Sequence, residues 1–568
     1  MIINQTVSGG GPSGFYREYG VDANGKLGAS ASPQTVSLPS DAVDISDYAL
    51  YGAYKQSAGV SGCIDLSSLT AVSGQYALMY LCYYCPNVTS VDLSNLVSVN
   101  GQYAFDYAFY GCSLLTSVDL SSLSGYLANY SFNYAFASTG VTSVDLSAIT
   151  TTGGQNCLYG MFYLCTSLTT VDLSNLSYVT GKNACASMFY GCTALTNLDL
   201  SSLAKITAQG ACGSMFYNCT SLTSVDLSGL ILVTGQSACG SMFWGCSNLA
   251  SADISSLCKL TTNYPLSSMF ANTALTSLSF SGLAYTTSLS SNTFSGVLSG
   301  VTGCTVHFPA DWETTMASWA SITGGLGGTS TTVLFDLPSV TTLDLSSLTV
   351  VDTMGFSSLG ANNYFPNITS VDLSNLTAIT TFQAFQGAFS GCTNLTSIDM
   401  SSLVTIDGSQ NCQAMFSGCT GLTSVDLGAL TTVNINGCFQ MFSGCTSLAS
   451  IDLSSVTTVG RYGLRDMLSS TAVTSVTLTS LSSIDSDGPL TYMFANCTSL
   501  TSVSFPALTS ASVGTSFTNQ FDYMLSGCTG VAVHFPSNMQ SVIGNWSSVT
   551  TGFGGTNTTV SFDLAATE

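Results

Sequence analysis

The sequence predicts an α/β solenoid: a stack of repeats about 27 residues long, with a parallel β-sheet on one face and short helical segments on the other, in two capped arrays. Three observations carry this expectation. The tripeptide Val-Asp-Leu, or a close variant, recurs with its aspartate at Asp65, Asp92, Asp119, Asp145, Asp172, Asp199, Asp226 and Asp253, and again at Asp344, Asp372, Asp399, Asp426 and Asp452. Apolar residues at helical spacing fill the interval before each tripeptide. Two matching segments that open on Val-His-Phe-Pro interrupt and then end the pattern. A fixed period between about 20 and 50 residues marks a stacked-repeat architecture, in which each unit touches only its neighbours.

The repeat at 185–211, CASMFYGCTALTNLDLSSLAKITAQGA, shows why each element is expected. In LTNLDL, strand alternation sends Leu198 and Leu200 to one face and Asp199 to the other. Stacked repeats pair these short strands in parallel, about 4.8 Å apart. SSLAKIT reads as a turn with Leu203 and Ile206 pointing inward. The next run places Ala211, Met215, Phe216 and Cys219 on one face of a short helix or helical turn. The Gly or Asn before each Cys suits the end of that turn. No such unit buries its apolar face alone, so the array has to fold as a stack.

The full motif, MFxGCxxLxxVDLSxL, stands as MFYGCTALTNLDLSSL at 188–203, MFYNCTSLTSVDLSGL at 215–230 and MFSGCTGLTSVDLGAL at 415–430. It resembles the leucine-rich repeats of the BspA-like family of microbial surface proteins. The resemblance covers roughly residues 34 to 536. It implies a curved solenoid with a parallel sheet on the concave side. Members of that family are associated with adhesion and binding at cell surfaces, although a shared fold is a weak guide to any one partner.

The closing segments are VHFPADWETTMASWASITGGLGGTSTTVLFDL at 306–337 and VHFPSNMQSVIGNWSSVTTGFGGTNTTVSFDL at 533–564. His307, Trp319, Gly327 and Asp336 match His534, Trp546, Gly554 and Asp563, each 227 residues on. Histidine takes the strand slot that aspartate holds elsewhere, and residues 310–322 read as an amphipathic helix. Such atypical units cover the exposed ends of a solenoid core. TVSLPS at 35–40 places Ser37 in the aspartate slot one repeat before Asp65. The expected organisation is therefore an attachment or docking arm at 1–33, a first leucine-rich-repeat array at 34–305, a capping segment at 306–338, a second array at 339–532 and a second capping segment at 533–568.

Composition narrows the partners. Charged residues are 7% of the chain, against about 25% in typical soluble proteins. Eight Lys plus Arg face thirty Asp plus Glu, for a net charge of −22, which repels nucleic acid and anionic lipid. No stretch approaches the ~18 apolar residues of a membrane span. The first residues, MIINQTVSGGGPSGFYREYG, have neither a basic nor an apolar region of a secretory signal, so none is expected there. Cysteine is abundant, at 21, and a column of it sits seven residues before the aspartate slot, as in Cys165, Cys192 and Cys219. Regular placement points to buried free thiols that pack as small hydrophobes; bridges between adjacent repeats are the alternative. Only two histidines are present, and no paired CxxC spacing suggests zinc. No metal or other cofactor is expected.

The candidate ligand-binding residues are a ladder on the exposed sheet face: Asp92, Asp119, Asp145, Asp172, Asp199, Asp226 and Asp253 in the first array, with Asp372, Asp399 and Asp426 in the second. Neighbouring carboxylates about 5 Å apart repel by only about 0.8 kcal/mol in a water-like dielectric. The ladder offers a site for a cation or a cationic ligand, against the reading as a solvated polar face that prevents edge-to-edge aggregation. Calcium prefers about six to eight oxygens in dedicated loops, which a flat ladder does not supply. Tyrosines cluster between Tyr76 and Tyr134 and suit either recognition of sugars or proteins, or packing beside the core. No nucleophile elbow, phosphate loop or dinucleotide fingerprint occurs, so no enzyme is expected.

The expected function is non-enzymatic binding or adhesion at a surface. With no export signal, the expected setting is the virion surface, as a bacteriophage tail or head fibre that meets a host-surface protein or glycan and joins other virion proteins through its N-terminal arm. A purely structural virion or envelope spacer is one alternative. A bacterial cell-surface adhesin exported without a classical signal is the other. The ligand and the oligomeric state, homo-oligomer included, stay open.

Overall fold

A computed structural model of the protein describes residues 34–38, 43–260, 264–283, 292–310, 313, 324–337, 341–346, 348, 350–351, 367–485, 487–509, 520–541 and 552–565. The expected arm at 1–33 lies outside them, as does nearly all of the helix expected at 310–322. The chain divides into two compact units, one of Met1–Leu283 and Thr287–Pro338, the other of Ala284–Thr286 and Ser339–Glu568. Each is a parallel solenoid in which one repeat makes one coil, and each coil has three runs.

The first run is the Ser-Val-Asp strand. It pairs in parallel and in register with the same strand of the next coil: Ser90, Val91 and Asp92 face Ser117, Val118 and Asp119, and Asp226 faces Asp253. Ser37 faces Asp65, one repeat on, as its slot predicts. The alternation holds, since Val118 and Leu120 are buried and Ser117 and Asp119 exposed. Leu93, Leu120, Leu146 and Leu173 occupy equivalent buried positions in successive coils. The second run was expected as a turn and carries a second parallel sheet of two-residue strands. Tyr178–Val179, Lys205–Ile206, Leu232–Val233 and Lys259–Leu260 line up in it. Leu203 and Ile206 do point inward.

The third run corrects the fold class: it is not helical. An α-helix closes each N–H onto the carbonyl four residues back. Here alternate amides cross to the next coil. Asn183, Cys185, Ser187, Phe189 and Gly191 donate to the carbonyls of Gln209, Ala211, Gly213, Met215 and Tyr217, at 2.7–3.0 Å. The amides between them, of Ala186, Met188, Tyr190 and Cys192, donate to the carbonyl three residues back, closing successive turns. Every fourth residue is left-handed: φ is 51° at Asn183, 54° at Ser187 and 71° at Gly191. Buried pairs therefore recur every four residues, at Ala184–Cys185 and Met188–Phe189, with Cys192 following. That spacing is close enough to 3.6 for the apolar pattern alone to read as a helix. The distinguishing signal lies in the intervening residues. Left-handed φ costs an ordinary L-residue roughly 1–2 kcal/mol, and Asn and Gly recur where it is needed.

Between the runs lies one core per unit. In the first unit the rings of Phe109, Phe136, Phe162, Phe189, Phe216, Phe243 and Phe270 stack in a file, with centroids 5.3–5.7 Å apart. Burying each ring contributes about 1.5–3 kcal/mol. Every cysteine is a free thiol, and all but Cys63 are buried. The column has a use beyond volume: Cys192, Cys219 and Cys246 donate their S–H to the carbonyls of Phe162, Phe189 and Phe216 at 3.1–3.3 Å. Where the slot holds Thr139, Thr273 or Thr471, a hydroxyl bonds the carbonyl three residues back at 2.8 Å. The slot thus selects a small side chain with a hydrogen to donate.

Each unit ends on its closing segment. Thr305–Pro309 pairs with Ser277–Ser279 on one side and Thr332–Leu337 on the other. Ala532–Pro536 does the same between Ser502–Ser504 and Thr559–Leu564. His307 faces Ser279 and His534 faces Ser504, so histidine does take the aspartate slot. His307 Nδ1 lies 2.9 Å from Asp336, and His534 Nδ1 lies 2.9 Å from Asp563. A bridge between the last two strands is thus repeated in both caps.

Stacking this tight leaves no room for a side chain where backbones meet. A Cβ on Gly101 would overlap the carbonyl oxygen of Gly74 one coil back, whereas one on Gly153 would meet only the Thr180 hydroxyl, at 3.7 Å. Gly101→Ala is expected to cost about 1–3 kcal/mol, the range for overpacking, and to lower the thermal unfolding midpoint. Gly153→Ala is expected to stay within about 0.5 kcal/mol of the parent. Equal losses would contradict the close approach.

Candidate functional site

The Asp-Leu-Ser sequence decides the local geometry of the ladder. After each strand the chain must turn, and the aspartate Oδ1 accepts the amide of the residue two positions on. Ser94 donates to Asp92, Ser121 to Asp119, Ser147 to Asp145, Ser174 to Asp172 and Ser201 to Asp199, all at 2.9–3.1 Å. Ser228, Ser255, Ser374 and Ser401 serve Asp226, Asp253, Asp372 and Asp399 likewise, and the Gly428 amide serves Asp426. At Asp119, Asp145 and Asp399 the serine hydroxyl adds a second bond of 2.6–2.7 Å. These are Asx turns. Every candidate aspartate therefore has a structural duty, which Asp-x-Ser could have signalled for all but Asp426.

Backbone register brings the candidates together in two ladders, one per unit. Asp92 faces Asp119, Asp145 faces Asp172, and Asp226 lies between Asp199 and Asp253. In the second unit Asp372 faces Asp399, and Asp426 faces Asp452. In the first unit the strand face forms an open groove of about 1010 Å³, lined by Ser90, Ser117, Ser143 and Thr170 beside Asp92, Asp119, Asp145, Asp172 and Asp199. Cys63 lines the same groove. A groove of about 490 Å³ in the second unit is lined by Ser424, Asp426, Ser450, Asp452 and Ser454. The hydrogen bonds from Ser174 and Ser454 hold the carboxyls of Asp172 and Asp452 below their usual range. The groove is thus a row of carboxylates and hydroxyls, able to bind cationic or hydrogen-bonding groups by shape and charge. Among the described residues, no three His, Cys, Asp or Glu side chains converge as a metal site would need.

The third run carries a second surface. In its early coils the left-handed positions hold tyrosine. Tyr48, Tyr76, Tyr103 and Tyr130 form one stacked column, with centroids 5.0, 5.1 and 4.6 Å apart and φ of 55–58°. Tyr80, Tyr107 and Tyr134 form another, at 5.7 and 5.1 Å. Lys55 Nζ sits 4.7 Å from the centre of the Tyr80 ring. Asp106 is buried beside these columns. Desolvation raises its carboxyl to about 7, against the opposing hydrogen bond that Asn133 donates at 2.8 Å. Burial makes poor nucleophiles of Cys112 and Cys185, pushing each thiol up to about 12.

A family model for the BspA type leucine-rich repeat region matches in six copies, at residues 79–188, 160–299, 344–441 and 413–546. Among solved structures, a leucine-rich repeat protein of Bacteroides ovatus ATCC 8483 is similar at 16% identity, over 72% of this chain and 83% of that one, with a TM-score of 0.26. The leucine-rich repeat protein of T. pallidum is similar at 18% identity, over 44% of this chain and 78% of that one, with a TM-score of 0.18. A Leptospira interrogans protein of the same kind is similar at 13% identity, over 78% and 91%, with a TM-score of 0.20. No curated protein matches the chain. Among the described residues no helix is long and apolar enough to cross a membrane.

The Asx turns separate the structural from the electrostatic role of the ladder. Asp119→Ala removes the acceptor for Ser121 and is expected to cost about 0.5–2 kcal/mol, as loss of a comparable helix cap does. Asp119→Asn keeps an acceptor oxygen and is expected to unfold within about 0.5 kcal/mol of the parent. Equal destabilisation by both, measured by denaturant unfolding, would contradict the role of the oxygen.

Proposed function

The chain belongs to the BspA-type leucine-rich repeat family, and from that premise we propose that it is a non-enzymatic binding protein displayed at a surface, which meets its partner through the strand face of the solenoid. The observation that carries the reading is the groove of the first unit, where in-register aspartates and serines repeat coil after coil without converging on a metal. Its residues are Asp92, Asp119, Asp145, Asp172, Asp199, Asp226 and Asp253, with Asp372, Asp399 and Asp426 as the corresponding set in the second unit. A row of carboxylates steers and orients a cationic or hydrogen-bonding partner more than it supplies raw affinity. The partner class that suits it is a surface protein with a basic face. The bacteriophage setting drew on the first residues, which lie outside the described ones, and nothing in the groove favours a virion over a cell.

Labelled protein, applied to a panel of bacterial and epithelial cells and read by flow cytometry, tests this. The parent is expected to bind at least one cell type. The triple variant Asp119→Asn, Asp145→Asn, Asp172→Asn, which keeps the turn acceptors, is expected to bind about tenfold more weakly. The control Asp44→Asn, Asp407→Asn, Asp522→Asn, at three positions that line neither groove and with the same change in net charge, is expected to bind like the parent. Binding to no cell would favour a spacer without a ligand, and equal loss in both variants would assign the binding to net charge and overturn the role of the groove.

A further inference from the structure

The tyrosine columns of the first unit stand apart from the acidic groove and serve nothing described so far. In the coil at 183–192 the three left-handed positions hold Asn183, Ser187 and Gly191. In the coil at 76–85 the same positions hold Tyr76, Tyr80 and Tyr84, with φ of 56°, 57° and 54°. A bulky residue at positive φ is an outlier, and backbone strain of this kind concentrates where a protein recognises something. The buried positions do not demand it, because the coils that carry Asn, Ser and Gly bury the same inner positions: Ala184, Cys185, Met188 and Phe189 stand where Ala77, Leu78, Leu81 and Cys82 do.

The surface these rings make has three properties. It is periodic, with one phenol per coil at about 5 Å intervals in each column. It is sparsely charged on a chain of net charge −22: Lys55 lies against the Tyr80 and Tyr83 rings, Asp106 is buried and hydrogen-bonded by Asn133, and exposed Asp47, at the head of the first column, accepts the Gln75 amide at 2.6 Å. It is amphipathic, since stacked rings present their edges and hydroxyls. Tyr84, 48% exposed, lies over Gly111, where a Cβ would come within 2.5 Å of its ring. That ring also meets Tyr83 and Tyr110 edge to face, with centroids 4.7 and 5.4 Å away. A phenol both donates and accepts a hydrogen bond, and its ring packs on apolar C–H groups. A periodic row of such groups fits a polymer with a repeat of its own that alternates hydroxyls with C–H patches. A protein surface has no such repeat, and an anionic polymer would be repelled by the chain.

We infer that the tyrosine face at coils 48–134 is a second binding site, for a neutral polysaccharide lying along the stack. Tyr84 offers a half-exposed ring for apolar C–H contact, and the columns of Tyr76 and Tyr80 offer hydroxyls in step. The site is independent of the aspartate groove and lies on a different run of each coil.

The test gives one coil the outward residues of another coil of the same unit. The variant Tyr76→Asn, Tyr80→Ser, Tyr84→Gly installs the residues that the same positions hold at 183, 187 and 191. The full-length parent, this variant and the Asp119→Asn, Asp145→Asn, Asp172→Asn protein are run through native gels containing mixed-linkage β-glucan, galactomannan or dextran, with polygalacturonate and gelatin gels as anionic and protein controls. The parent is expected to be retarded by at least one neutral polysaccharide and not by polygalacturonate. The tyrosine variant is expected to lose about tenfold in affinity while migrating as the parent does in a plain gel, and the aspartate variant to be retarded like the parent. No retardation in any neutral gel, retardation in gelatin alone, or undiminished retardation of the tyrosine variant would overturn the assignment. Failure of the groove reading would show only in the aspartate variant on cells, so the two are separable.

Discussion

Everything in this molecule follows from backbone hydrogen bonds that leave the coil in which they start. In the run 183–192, alternate amides find their acceptors one repeat onward. The strands of the first two runs do the same in register. A single coil therefore has few bonds of its own and leaves its apolar residues uncovered. Since a buried, unpaired backbone group costs about as much as a lost hydrogen bond, the coil is defined only between neighbours. Periodicity in the sequence follows from this. A residue that fits one coil has to fit against its counterpart in the next, which is why Phe stacks on Phe, Asp stands beside Asp, and the Cys slot accepts Thr and keeps its donor hydrogen.

The same constraint explains what each surface can offer. A stacked repeat turns any exposed residue type into a row, and the row inherits the spacing of the backbone. Aspartate was retained on the strand face because its Oδ1 closes the turn that follows, leaving the rest of the carboxylate to face the groove. On the third run the left-handed positions are the outward-facing ones, and their occupants differ from coil to coil: Tyr76 and Tyr80 in one, Asn183 and Ser187 in another. Structural duty fixes the first row, whereas the second varies over a fixed backbone. The caps obey the rule too. His307 and His534 take the aspartate slot in the strand before the closing one, and each is joined to that closing strand through Asp336 or Asp563.

Much of this was legible from residues alone. The spacing of Asp65 through Asp253 predicts the strand register, and Leu198 and Leu200 predict the buried side of each strand. Ser37 and the two Val-His-Phe-Pro segments mark positions that the pairing bears out. The third run was not legible, because Ala184, Cys185, Met188, Phe189 and Cys192 satisfy a period of four and a period of 3.6 equally over so short a stretch. Only the recurrence of Asn183, Ser187 and Gly191 separates left-handed turns from a helix. The second sheet was hidden for a different reason: strands of two residues, such as Lys205–Ile206, are too short for alternation to register. The dual use of the aspartates was written in Asp-Leu-Ser, but it emerges only when the turn is given its own acceptor.

The account stands on the direction of one class of hydrogen bond, and scalar couplings transmitted across hydrogen bonds report that direction. In a deuterated, isotopically labelled sample, the amide nitrogen of Phe189 is predicted to couple to the carbonyl carbon of Met215, in the next coil. Coupling to the carbonyl of Cys185, four residues back in the same coil, would mean a helix and would contradict the stacking described for both units.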